Sequence, residues 1–145
     1  MTGTIFLTGG AGKTVTPIAS KLQSLNIPVL LSSRRGQAGV PTGFKAVTFD
    51  WYNEATHTNP FDEDKNIEAV YIVFPHPVPT KDSVASVKHF VDLAQKKGVN
   101  KFVLMSGSIS EKGGRAPQGQ LHAYLEDIGV DYAVLRPSFF FGEAQ

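Results

Sequence analysis

Thr4-Ile5-Phe6-Leu7-Thr8-Gly9-Gly10-Ala11-Gly12-Lys13-Thr14 is the stretch that decides how this chain is read. A short apolar run stops in a glycine-dense turn, and helical periodicity starts directly behind it. A strand, a tight turn and a helix N-terminus in that order make an anion-binding site. The unpaired N–H groups of the first helical turn point outward, and the helix dipole adds partial positive charge. Glycine lets the backbone turn sharply and lets a phosphate approach without meeting a Cβ. Two patterns compete for the stretch. A P-loop reads G-x-x-x-x-G-K-[ST]; Gly12-Lys13-Thr14 supplies its end, but Leu7 stands where its first glycine belongs. The loop is then too short to wrap a phosphate, and only ATP binding would revive that reading. The dinucleotide pattern G-x-G-x-x-G fits Gly10 and Gly12, and its wider form G-x-x-G-x-x-G fits Gly9 and Gly12. Both fail at Val15. The missing third glycine governs how closely helix packs on strand, so its loss costs packing room more than phosphate contact.

Composition narrows the class. The chain has 145 residues, enough for one domain with a sizeable core. Its 41% hydrophobic and 19% charged content is that of a folded globular protein rather than a disordered one. A net charge of +1 gives no electrostatic case for nucleic acid or a membrane surface. There is no cysteine, which excludes disulfides and thiolate metal sites. The longest apolar run, Ala69 to Phe74, is far short of a membrane span. A strand opens the chain where a secretory leader would be charged and then apolar, so a cytoplasmic protein is expected.

Outward from the turn, Ile18, Leu22 and Leu25 repeat at helical spacing, Lys21 and Gln23 face out, and Asn26 stops the helix. Pro17 sits awkwardly about one turn in. Ile27 to Leu31 reads as a second strand, apolar throughout as a doubly covered parallel strand should be. It ends in Ser32-Ser33-Arg34-Arg35-Gly36. In a dinucleotide fold the residue roughly 20 positions past the glycine turn reads the adenosine ribose, and an acid there bonds the 2′-hydroxyl of NAD. Here hydroxyls and two arginines stand with no acid nearby. A guanidinium suits a phosphate and a carboxylate repels one, so Arg34 and Arg35 favour NADP(H) over NAD(H). A solvated basic loop is the plainer account of the same residues.

Phe44 to Phe49 alternates as a third strand ending at Asp50-Trp51. Asp50 could accept from the adenine amino group or cap the next turn. Trp51 to Asp64 is polar, with Asn59-Pro60 as a breaker and Asp62, Glu63 and Asp64 on a solvated helix face. Ile67 to Phe74 is a fourth strand, running into the stiff Pro75-His76-Pro77-Val78-Pro79 loop, where His76 reads as a surface residue. Thr80 and Asp82 open a helix. Val84, Val87, Phe90, Val91 and Ala94 give it an apolar stripe, and Lys96-Lys97-Gly98 closes it. Val99 to Met105 is a fifth strand, a helix follows around Gln118 to Ile128, and Val130 to Leu135 is a sixth. Strands alternating with helices predict a Rossmann-like α/β domain over residues 1–145, a doubly wound parallel sheet of about six strands in the order 3-2-1-4-5-6.

Catalytic chemistry is sparse. The Y-x-x-x-K pair of short-chain dehydrogenases is absent: four residues beyond Tyr52, Tyr71, Tyr124 and Tyr132 stand Thr56, Pro75, Ile128 and Arg136. Ser106, past the fifth strand, sits where those enzymes keep a helper serine, or simply bonds its own backbone. The four histidines show no metal-ligand spacing.

The stretches GGAGKT, VLLSSRRG, GFKAVTFDW, AVYIVFP, KKGVNKFVLMSGSISEKGG and GQLHAYLEDIGVDYAVLRPSFF, in this order, resemble the NmrA-like atypical short-chain dehydrogenases. Within them they are most similar to the fungal ergot alkaloid reductases, the festuclavine and agroclavine dehydrogenases. The resemblance implies NADPH-dependent reduction of an iminium intermediate that forms from chanoclavine-I aldehyde, with help from glutathione or a partner reductase. It implies that Gly9, Gly10, Gly12, Lys13 and Thr14 meet the pyrophosphate, that Arg34 and Arg35 meet the 2′-phosphate, and that Ser33 beside them also belongs to the cofactor site. Asp50 would lie near adenine, Phe74 along the cofactor and Ser106 near the nicotinamide. Members of this family continue past the Arg-Pro pair with a portion that closes the substrate pocket, whereas this sequence stops at Gln145 after Phe139-Phe140-Phe141. The expectation is a cofactor half, either of a reductase or of a non-catalytic NADP(H)-binding regulatory module.

Overall fold

The structure, a computed structural model, describes residues 3–9, 15–74, 81–105 and 117–135. The elements are β1 (Thr4–Leu7), α1 (Val15–Ser24), β2 (Val29–Ser33), β3 (Ala46–Thr48), α2 (Asn59–Glu63), β4 (Ile67–Ile72), α3 (Lys81–Lys96), β5 (Lys101–Met105), α4 (Pro117–Ile128) and β6 (Asp131–Leu135). All strand pairs are parallel, and the sheet order is β3-β2-β1-β4-β5-β6, as the sequence predicts. The order reverses between β1 and β4. Ligands of open α/β sheets bind outside the carboxyl ends of the strands at such a reversal.

Strand periodicity sorts the core into two layers. Phe6, Leu30, Val70, Ile72, Phe102 and Leu104 face one side, and Leu7, Val29, Leu31 and Tyr71 the other. The first side meets α3 and α4. Every member of the predicted α3 stripe is buried there, joined by Leu121 and Leu125. Phe90 is the hub of this layer, its ring 5.1 to 5.8 Å from those of Phe6, Phe49, Trp51, His57 and Phe61. On the second side α1 lays Val15 and Ala19 over β1 and β2.

The helix stops follow the sequence. Asn26 adopts φ 61°, with its N–H on the Gln23 carbonyl and the Ile27 N–H on Leu22. Gly98 at φ 99° repeats the motif on Gln95 and Ala94. Both are left-handed caps that satisfy the last free carbonyls. Pro17 falls in the first described turn of α1, where a missing donor is least felt.

Several boundaries differ from expectation. Leu25 caps α1 and is exposed, because the helix has already turned away. β2 starts at Val29 and runs to Ser33, two residues later than predicted, since Pro28 offers no donor to the ladder. β3 keeps only three residues of the predicted six, β4 ends at Ile72, and β5 begins at Lys101. Asn59-Pro60 does not break structure: Pro60 occupies the opening turn of α2, where proline fits. Segment 51–64 is not uniformly solvated either, because Trp51, His57 and Phe61 enter the core. Asp64 is half-buried and accepts from Thr4 Oγ1 at 2.6 Å, tying α2 to β1.

Candidate functional site

The parallel register gathers the predicted residues along one sheet edge. Leu7 pairs with both Leu31 and Tyr71, and Ser33 with Thr48. The backbone therefore emerges at a common level as Gly9 after β1, Arg34 and Arg35 after β2, Asp50 after β3 and Phe74 after β4. Neighbouring strands lie about 4.8 Å apart, so the four exits form a continuous rim.

Gly9 begins the cradle. Its φ is +99°, and a Cβ there would stand 2.8 Å from Val15 Cγ2. Glycine is required on both counts. The contact also explains how the motif tolerates a valine in place of its third glycine: the turn supplies the missing Cβ space rather than the helix. Gly10, Gly12, Lys13 and Thr14 lie outside the described residues, as do Ser106 and His76.

Thr8, which the sequence reading passed over, clamps this turn. It is fully buried. Its hydroxyl donates to the Tyr71 carbonyl at 2.8 Å and accepts the Val73 N–H at 2.7 Å, while its own N–H also reaches Tyr71 O at 3.0 Å. One side chain thus locks the exit of β1 to the exit of β4. The only signal was a hydroxyl closing an apolar strand.

Past β2 the loop is shaped to present its arginines. Ser33 is buried, and its Oγ accepts the Arg35 N–H at 3.1 Å. Its hydroxyl is thus a loop anchor as well as a candidate ligand. Gly39 closes over it, since a Cβ there would come within 2.1 Å of Ser33 Oγ. Gln37 holds the entry to β3, accepting from Ala46 N at 3.0 Å and donating to the Phe44 carbonyl. Arg34 and Arg35 are both exposed, and among the described residues neither meets a carboxylate.

Asp50 performs the capping role: its Oδ1 accepts the Tyr52 N–H at 3.0 Å. Phe74 is buried in the core layer beneath α3, so what it presents at the rim is backbone rather than ring. Trp51, also missed, pins the rim from below by donating its indole N–H to the Val73 carbonyl at 3.0 Å. A glycine turn that a Cβ would obstruct, two exposed guanidiniums without a carboxylate partner among the described residues and the sheet's switch point suit a phosphate-bearing ligand.

No family model matches the chain. It is 44% identical over 138 residues to the agroclavine dehydrogenase of Claviceps fusiformis, covering 94% of this chain and 47% of that protein. It is 42% identical over 143 residues to festuclavine synthase I of Penicillium roqueforti, covering 94% and 48%. Over that stretch the chain is similar to the agroclavine and festuclavine dehydrogenases. It spans about half the length of these relatives. Among solved structures, the chain superposes on a nucleoside-diphosphate-sugar epimerase from Staphylococcus aureus with a TM-score of 0.72 at 20% identity, over 94% of this chain and 50% of that one. A Thermus thermophilus UDP-glucose 4-epimerase, solved with NAD, gives 0.67 at 18% identity, over 92% and 54%. At such identities the likeness shows the fold alone, a Rossmann-type sheet.

Among the described residues, no helix is long and apolar enough to cross a membrane, and no cluster of His, Asp or Glu could hold a metal ion.

Proposed function

We propose that this chain is the NADPH-binding part of an ergot alkaloid oxidoreductase that reduces an iminium intermediate derived from chanoclavine-I aldehyde. The observation that supports the cofactor choice is the exposed Arg34–Arg35 pair at the end of β2, level with Gly9 and without a carboxylate partner among the described residues. Two forked cations suit a 2′-phosphate where an acid would select a 2′-hydroxyl. Gly9, Gly10, Gly12, Lys13 and Thr14 would face the pyrophosphate, with Ser33 setting the pitch of the arginine loop. The free oxygen of Asp50 would serve adenine, the backbone of Phe74 would flank the cofactor, and Ser106 would approach the nicotinamide.

Bound there, NADPH would supply a hydride, and an iminium carbon that receives hydride becomes a neutral amine without needing a proton. That requirement matches the missing Y-x-x-x-K pair. The chain's own work would be to hold, orient and exclude water. Glutathione or a partner reductase would furnish the cyclised substrate. A cytoplasmic setting fits a chain without cysteine.

The absence of a Y-x-x-x-K pair from this sequence also favours a second reading, a non-catalytic NADP(H)-binding module of the NmrA-like regulatory kind. Presenting the purified chain with NADPH and the cyclised iminium separates the two. Loss of NADPH with formation of the reduced amine supports the reductase. Tight NADPH binding with no amine formed supports the module, and displacement of NADPH by ATP would defeat both.

A further inference from the structure

Below the rim, His57 and His89 meet nitrogen to nitrogen. His57 is fully buried, stacked on Phe49 at 5.2 Å and edged by Trp51 and Phe90. Its Nε2 lies 2.9 Å from the Trp51 carbonyl. A carbonyl can only accept, so Nε2 carries the proton and neutral His57 has a bare Nδ1. That Nδ1 is 2.9 Å from Nδ1 of His89, which must therefore donate. A neutral His89 would then turn its own bare Nε2 toward Glu54 Oε1, 3.7 Å away, acceptor against acceptor. One added proton on Nε2 turns that opposition into an ion pair. The array is complete with one proton more than two neutral imidazoles hold.

A second added proton has no place. It would set two N–H groups head to head inside an aromatic box. Burial, with the charge of His89 behind it, holds His57 below the ordinary imidazole range, although the Trp51 carbonyl and Glu54 pull the other way.

We propose that His57, His89 and Glu54 form a one-proton latch that fastens segment 50–57 onto α3. The segment carries Asp50 at the rim and Trp51 on the Val73 carbonyl, so the latch sets where both stand. The groups facing the pair bear this out. From the segment come the Glu54 carboxylate and the backbone of Asp50 and Trp51. From α3, Lys88 and Asp92 turn instead to Tyr124 of α4, the one over its ring and the other on its hydroxyl. Phe49 and Phe90 close the remaining sides without charge. The latch opens on the acid side, below the ordinary imidazole range, when His57 is forced to take a second proton. Nothing in this depends on the cofactor; only an effect on NADPH affinity does.

Trp51 is the only tryptophan in the chain, so its emission reports on the segment. The test follows that emission and the amide hydrogen exchange of residues 51–57 against pH in the full chain, in His89→Gln and in Glu54→Gln. Both replaced side chains are about half exposed, which leaves the core intact. The wild type should show one step on the acid side of 6.5, where His57 is forced to take its proton. Exchange on the acid side of that step should be about two- to fivefold faster, the scale of an exposed ion pair. Both variants should lack the step and exchange at the fast level throughout. A flat wild-type profile, or a step that survives unchanged in His89→Gln, overturns the latch. Failure of NADPH to bind at any pH counts against the cofactor reading alone, since the emission step still decides the latch.

Discussion

Thr8→Val isolates the clamp that holds β1 to β4 at the rim. Valine matches threonine in shape, so packing changes little and the loss is of hydrogen bonding. The Tyr71 carbonyl keeps the Thr8 backbone N–H at 3.0 Å, but the Val73 N–H loses the hydroxyl that it reaches at 2.7 Å. A buried donor left unsatisfied costs about 1–3 kcal/mol, and the hydroxyl's own bond to Tyr71 adds a fraction of the ~1 kcal/mol typical of a neutral pair. The expected destabilisation is about 2 kcal/mol, a lowering of the melting temperature by roughly 6 °C for a domain of this size. Thr8→Ser keeps the hydroxyl and loses one buried methyl group, about 1 kcal/mol. Urea unfolding gives the energies, and exchange of the Val73 amide localises them, since that amide should open faster in Thr8→Val only. Equal stability of Thr8→Val and wild type, or a serine variant weaker than the valine one, would refute the clamp.

Gly9→Ala should cost about 2–5 kcal/mol, combining left-handed backbone strain with a Cβ pressed onto Val15, and Val15→Ala should relieve part of it in a double-mutant cycle measured by urea unfolding. Phe90→Ala, at the hub of five ring contacts, should lose about 3–5 kcal/mol in the same assay. His57 is held below its ordinary value of 6.5, so the unfolded chain takes up its proton first; stability should fall as pH drops below 6.5, with a smaller slope in His57→Gln. The hydrogen bond to Asp92 pushes the Tyr124 phenol up to about 12, and spectroscopic titration of Asp92→Asn should bring its midpoint back toward 10.0.

The sheet was legible because its signals are local. Each strand is a short apolar run, each helix has a spaced stripe, and Asn26 and Gly98 mark stops through their own backbone preferences. Strand ends were less so. Whether Ile27 or Val29 opens β2 depends on which donors find partners across the sheet, a non-local fact. Segment 51–64 misled for the same reason. Its polar composition conceals that Trp51, His57 and Phe61 converge on Phe90, far along the chain in a separate helix. At the rim, Gly9 and the arginines announced themselves through motif chemistry. Thr8 did not, because its partners Tyr71 and Val73 are 63 and 65 residues distant. The His57–His89 pairing, across 32 residues, has no sequence pattern at all.

The central claim is that Arg34 and Arg35 make this rim a site for NADPH. Calorimetric titration of the chain with NADPH and with NADH, repeated on the Arg34→Ala/Arg35→Ala double variant, tests it. Charge-assisted hydrogen bonds contribute about 1.5–3 kcal/mol each, and nearer 1 kcal/mol at exposed guanidiniums such as these. The wild type should therefore prefer NADPH by roughly thirtyfold, the double variant should lose most of that preference, and NADH affinity should stay unchanged. Equal affinity of the wild type for the two cofactors, or an NADPH preference that survives removal of both arginines, would contradict the account.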